Sequence, residues 1–232
     1  MISAVLLLSG QSERAGIDTP KQFYAMNDKE LFEYSLKTLL EAHKFDSLVL
    51  VTQKKYFEHV SSIMKTHFFG VNFVLVEGGN TRQESVFNAL NYLSTKGIDE
   101  ILIHDAARPF ISKNAIKNVI KTLKEANGTS LYSKVSDSIC TFSEDNYIKN
   151  YQNRDEIVKI ETPQAFKFDI IFKAHLESIK SKDFTVTDDA SLLLKTGEKV
   201  KLVENSDFNL KVTTRSDLLL AEKILKTLWI KK

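Results

Sequence analysis

A chain of 232 residues, 43% hydrophobic and 10% aromatic, can close a sizeable core as one large domain or as a domain with an appendage. Its 32 Lys and Arg stand against 30 Asp and Glu, which excludes the basic excess of a nucleic-acid binder and leaves any demand for positive charge to be met locally. One cysteine, Cys140, excludes a disulfide framework, and no run has signal-peptide or transmembrane character, so a cytoplasmic protein without membrane or nucleic-acid partners is expected.

Along the chain, short apolar runs alternate with amphipathic ones. "SAVLLL" (3–8), "SLVLVT" (47–52), "VNFVLV" (71–76) and "EILIH" (100–104) have strand length and are apolar throughout, as expected where both faces of a sheet are covered. Helical stripes lie over 31–43, 54–67 and 82–95, and over 113–126 with Ser112 as N-cap. This alternation predicts an α/β fold on a mainly parallel sheet flanked by helices. After residue 128 the rhythm breaks. "TSLYSKV" (129–135) reads as another strand, and in 136–157 the turn-prone "SEDN" between two β-prone pieces predicts a hairpin, either a lid or an arm reaching a second subunit. Thr187 is expected to cap a helix over 188–196 ended by Gly197. Strands "KVKLVE" (199–204) and "FNLKVT" (208–213) follow, and a helix over 215–228 closes the chain.

Ligands of open parallel sheets gather outside the carboxyl ends of the strands, which directs attention to the residue after each apolar run. The first such loop, "SGQSERAGIDTPKQF", has neither G-x-G-x-x-G nor a P-loop, disfavouring a dinucleotide-binding turn and a P-loop kinase. It offers Gly10 and two cations, Arg14 and Lys21, suited to a polyphosphate attacked at its α-phosphorus, although a polar loop with two solvated cations fits the spacing equally. In "EGGNTRQES", Asn80 and Ser85 are candidates to read a base edge. Thr81 and Glu84 also spell a capping box, but capping alone would not require Gly78 and Gly79. "HDAARP" ends a core strand on Asp105, placed to hold a Mg²⁺ that also binds phosphate, with Arg108 facing a second anion; an internal Asp105–Arg108 salt bridge is the alternative. Lys211 follows a late strand. His104 and Cys140 are read as structural.

"PKQF" (20–23), "GGNTRQESV" (78–86), "HDAARP", "TPQAF" (162–166), "TDDAS" (187–191) and "NLKVT" (209–213), in register over about residues 3–225, resemble the 2-C-methyl-D-erythritol 4-phosphate cytidylyltransferases. The resemblance implies one Rossmann-like nucleotidyltransferase domain over 1–232, related to the glycosyltransferase-A fold, with a β-arm at 136–157. It further implies transfer of CMP from CTP to methylerythritol phosphate, with Mg²⁺ as cofactor. By position, Arg14 and Lys21 match the catalytic cations, and Asp105 matches a residue near the metal and the acceptor hydroxyls. Arg108, Arg154, Thr162, Thr187 and Lys211 match acceptor contacts. Ser9, Gly10, Gly79, Asn80, Ser85 and Ala106 fall on the nucleotide side. The family's arm builds a homodimer, so Arg154 and Thr162 are expected to serve the neighbouring subunit's site. Leu8-Ser9-Gly10 departs from the usual Ala-Ala-Gly, Arg14-Ala15 from Arg-Met, and Asn80 stands where an acid is frequent. Ribitol 5-phosphate cytidylyltransferases are also similar, but their strand end more often reads His-Asp-Ser-Val-Arg-Pro. A non-catalytic nucleotide-binding module is the alternative of a different class. Some relatives carry a fused cyclodiphosphate synthase domain, for which this chain is too short. Since a phosphate monoester is already largely dianionic near neutrality, its oxygen can attack in line without a general base or a covalent enzyme intermediate.

Overall fold

In the computed structural model, residues 1–10, 19–182 and 186–229 are described. Strand β1 (Ile2–Leu7) leads through β2 (Ala25–Met26) and β3 (Lys29–Glu30) to α1 (Leu31–Ala42). Then come β4 (Ser47–Thr52), α2 (Phe57–His67), β5 (Val74–Glu77), α3 (Arg82–Leu93), β6 (Glu100–Asp105) and α4 (Lys113–Thr122). The later elements are β7 (Gly128–Lys134), β8 (Cys140–Phe142), β9 (Ile148–Tyr151), β10 (Val158–Lys167) and α5 (Phe168–Ser181). The chain continues with α6 (Asp189–Lys195), β11 (Val200–Glu204) and α7 (Arg215–Ile224).

Seven strands form one sheet in the order β11-β7-β10-β6-β1-β4-β5. Only β10 in that sheet runs against its neighbours, pairing antiparallel with both β6 and β7. Helices cover both faces, which is why the strands read as unbroken apolar runs. Ala4, Leu6, Leu48, Leu50 and Leu102 pack on one side with Phe32, Leu36, Val60, Ile116 and Val119. Val5, Leu7, Val49, Val51, Ile101 and Ile103 pack on the other with Val86, Leu90, Ile171 and Leu193. A third cluster, including Met26, Tyr34, Phe110, Val212 and Leu218, seats α7. The chain passes from β1 to β4 on one side and returns to β6 on the other, so the strand order reverses at the carboxyl end of β1, where a crevice forms.

Several expectations need correction. "FNLKVT" is not a strand: a backbone bond from Val212 N to Ala107 O, and the side chain of Asn209, whose Nδ2 donates to Glu161 Oε2 and Thr162 O, hold the segment in place of a ladder. The third strand starts at Val74, not at residue 71. The N-cap of α6 is Asp188, whose carboxylate accepts from Ser191 N, and not Thr187. Strand β10 and helix α5 were not expected: β10 buries the polar Glu161, Thr162 and Gln164, which break its apolar run, whereas α5 does carry a helical stripe of Phe168, Ile171, Ala174 and His175. The expected hairpin is present as β8 and β9.

Candidate active site

A cavity of about 510 Å³ opens at the reversal point. The end of β1 supplies Leu7, Ser9 and Gly10, and a tight turn over Lys21–Phe23 supplies Lys21 and Gln22. Gln22 fastens that turn to the strand end, donating from Nε2 to Leu8 O and Gly10 O. The start of α3 supplies Gly79, Asn80, Thr81 and Arg82; the end of β6 supplies Asp105 and Ala107; Lys211 and Thr213 complete the wall.

At the centre stands Asp105, nearly buried. Arg82 Nε donates to its Oδ1 (3.1 Å), and Lys211 Nζ lies 2.7 Å from its Oδ2. Arg82 also donates from Nη1 to Asp189 Oδ2 (2.7 Å). Burial alone would raise the Asp105 pKa, but Arg82, Lys211 and Arg108 outweigh it and hold the carboxyl well below the usual carboxylate range. Burial likewise opposes the charge on Arg82, and the Asp189 and Asp105 carboxylates outweigh it, raising the guanidinium pKa further. Asp105 is therefore an anion at neutral pH. The expected alternative, an Asp105–Arg108 salt bridge, is not made: Arg108 Nη1 donates to Asn209 O at 2.9 Å, and its Nε is buried without a partner among the described residues.

The cavity gathers Ser9, Gly10, Lys21, Gly79, Asn80, Asp105 and Lys211 from among the expected site residues. The others stand elsewhere. Arg14 lies outside the described residues. Ser85 is 1% exposed and its hydroxyl is engaged within the turn, accepting from Ser9 Oγ and Gly79 N and donating to Thr81 O. Ala106 is completely buried, with its N–H donated to Leu7 O and its carbonyl accepting from Ser35 Oγ; Ala107 lines the cavity in its place. Arg108 is buried and is not among the described lining residues. Thr187 borders a smaller cleft of about 60 Å³ that shares Thr81 and Arg82 with the main cavity. Arg154 is exposed beside the hairpin, donating to Ser136 O. Thr162 is buried in β10, and its Oγ1 accepts from this chain's own Asp105 N.

Gly78 and Gly79 answer to the protein itself. A Cβ on Gly78 would lie 2.5 Å from Ser9 Cβ, and one on Gly79 would lie 2.3 Å from Glu84 Cβ. Glu84 is the third helical residue of α3 and closes the capping box with the N-cap Thr81, so the box does require a glycine at 79, contrary to expectation. Gly10 differs: a Cβ there would meet no atom within 4 Å among the described residues. Arg82, Asp189 and Gln22 were not anticipated, although each falls inside a motif that was singled out.

Among the described residues, no group of three or more His, Cys, Asp or Glu is placed to hold a metal. Asp105 is the one carboxylate in the described lining, and each of its oxygens keeps lone pairs beyond the bond it accepts. This donor set fits a Mg²⁺ carried mainly by phosphate and water oxygens, and not an all-protein cage. Among the described residues no helix is long and apolar enough to cross a membrane.

The sequence profile of the 2-C-methyl-D-erythritol 4-phosphate cytidylyltransferases matches residues 2–227. A protein of that name from Thermotoga neapolitana is 38% identical over 224 residues, covering 96% of this chain and 96% of its own. Another from Clostridium novyi is 35% identical over 226 residues, covering 97% of this chain and 96% of its own. The solved 4-diphosphocytidyl-2C-methyl-D-erythritol synthase of Anaerococcus prevotii matches with a TM-score of 0.84 and 28% identity, over 97% of this chain and 98% of that one.

Proposed function

The chain belongs to the 2-C-methyl-D-erythritol 4-phosphate cytidylyltransferase family, and from that membership we propose how its residues divide the work. The reaction transfers CMP from CTP to 2-C-methyl-D-erythritol 4-phosphate, giving 4-diphosphocytidyl-2-C-methyl-D-erythritol and pyrophosphate, a step of non-mevalonate isoprenoid synthesis.

One observation carries the assignment of roles: Lys21, Arg82 and Lys211, remote in sequence, line one cavity against a single carboxylate among its described residues. A polyphosphate fits that net positive wall. CTP lies along the end of β1, its phosphates over Gly10 and against Lys21, with Arg14 as the second cation. Asn80 and Gly79 face the nucleotide. The acceptor phosphate oxygen attacks the α-phosphorus in line; Lys21 neutralises charge on the transferring group, and Lys211 orients the acceptor phosphate. Asp105 meets the acceptor hydroxyls. Asp105 also holds the Mg²⁺, which when bound neutralises charge on the nucleotide phosphates.

We assign the whole chain to one nucleotidyltransferase domain acting in the cytoplasm, with 136–157 as a dimerisation arm that brings Arg154 to the partner's acceptor phosphate. The sheet's continuity from β1 to β11 and the exposure of Phe142, Tyr147, Ile148 and Tyr151 on the hairpin support this.

Pyrophosphate release with CTP and Mg²⁺, measured side by side with methylerythritol phosphate and ribitol 5-phosphate, tests the reading. Turnover with the first acceptor is expected; turnover only with the second, or with neither, refutes it. Lys21→Ala should fold normally and lose about 10²- to 10³-fold in turnover, as when one preorganised contact to developing charge is removed. Steady-state turnover near that of the parent would remove Lys21 from its role.

A further inference from the structure

Arg82 is held from two sides. Its Nε donates to Asp105 Oδ1 and its Nη1 to Asp189 Oδ2, contacts made from different edges of the guanidinium. The remaining nitrogen, Nη2, is buried and has no partner among the described residues. Asp189, in the first turn of α6, is 2% exposed and so acts only through its neighbours. Its second oxygen, Oδ1, lies 3.1 Å from Nε2 of His175, a completely buried residue of α5. A carboxylate only accepts, so His175 carries its proton on Nε2 and fixes the Asp189 carboxylate from behind.

A guanidinium next to one free carboxylate tends to fork onto both of its oxygens. Here Asp105 presents only Oδ1 to Arg82, while Oδ2 is left for Lys211. Asp189 on Nη1 and Lys211 on Oδ2 are the two contacts that stand against the fork. We infer that Asp189, oriented by His175, is a positioning residue that anchors Arg82 and thereby keeps it off Oδ2 of Asp105, leaving that oxygen to Lys211 and the acceptor end of the site. The inference rests on the proposed role of Asp105 at the acceptor end of the site. None of the three residues Arg82, Asp189 and His175 belongs to the set of catalytic and substrate-binding residues expected from the family's motifs.

The test is steady-state kinetics of Asp189→Asn, varying each substrate in turn, with CTP binding measured by calorimetry. The expected result is a fall of about 10- to 100-fold in kcat/KM for the acceptor, the scale of a misplaced positioning group, with the Kd for CTP within about three-fold of the parent. His175→Leu should shift the acceptor parameter in the same direction, and His175→Gln, which keeps an N–H donor, should restore it. Unchanged acceptor kinetics in Asp189→Asn overturn the inference, as does an equal loss of CTP binding, which marks a merely structural role. If Asp189→Asn does not fold, the two His175 variants decide, and identical acceptor kinetics in both overturn it. Asp105→Asn, assayed alongside, separates the two levels: full acceptor use in that variant sinks the role given to Asp105. A crystal structure of Asp189→Asn reads the anchoring apart from catalysis. Arg82 forked on both oxygens of Asp105 supports it, and an unmoved Arg82 overturns it.

Discussion

His104 lies completely buried under the site, and its two ring nitrogens face different partners. Nε2 is 3.3 Å from Arg108 O, and Nδ1 is 3.2 Å from Thr162 Oγ1. A carbonyl only accepts, so Nε2 carries the proton and Nδ1 takes the hydroxyl proton of Thr162, whose oxygen in turn accepts from Asp105 N. The Thr162 hydroxyl is thus occupied in placing Asp105. Burial, partly offset by Asp105, lowers the His104 pKa from 6.5 to about 4. Between those values the unfolded chain binds a proton that the folded chain refuses, so stability rises with pH through this window and is complete above it. The stake is on the order of 3 kcal/mol, taking 1.36 kcal/mol per pKa unit. His104→Gln should flatten the pH dependence of chemical denaturation across that window; an unchanged slope would contradict the assignment. The lowered pKa of Asp105 acts in the same sense, but its contribution is lost only as pH falls below the ordinary carboxylate range.

At the scale of elements, the start of α3 decides the shape of the nucleotide wall. Thr81 accepts from Glu84 N, Glu84 accepts from Asn80 N and Thr81 N, and the turn before them packs on Ser9. Gly79→Ala would force a methyl against Glu84 Cβ and, 3.2 Å away, its backbone carbon. Overpacking of this kind typically destabilises by about 1–3 kcal/mol, read as a lowered Tm with weakened CTP binding. Gly10→Ala, whose methyl would meet no atom within 4 Å among the described residues, should leave the Tm unchanged and weaken CTP alone. Most parallel strands were legible because burial on both faces leaves an unbroken apolar run. β10 was not, because Glu161, Thr162 and Gln164 turn their polar groups inward to partners on other elements. "FNLKVT" misled in the opposite way, having β-prone residues but no neighbouring strand. In the site, Asp105 could be read as a charge ending an apolar run, and Lys21 and Lys211 as cations within the segments that follow strands. Arg82 could not, since its partner Asp189 is 107 positions away and both look like ordinary first-turn helix residues.

For the whole molecule, the hairpin is the feature without an internal explanation. Phe142, Tyr147 and Tyr151 are 69%, 75% and 69% exposed, so a second copy of the chain is the proposed cover. Mixing Arg154→Ala and Lys21→Ala proteins under exchange conditions should regenerate activity of about one quarter of the parent, since half the dimers are mixed and each has one intact site. A mixture that stays inactive would place Arg154 in its own subunit's site. The order of the sheet has a consequence for synthesis. β10 is the bridge between β6 and β7, which share no ladder of their own. Until residues 158–167 have left the ribosome, the growing polypeptide carries two bare strand edges that only a late segment can satisfy, and shortened products ending before Val158 should cling to one another through them.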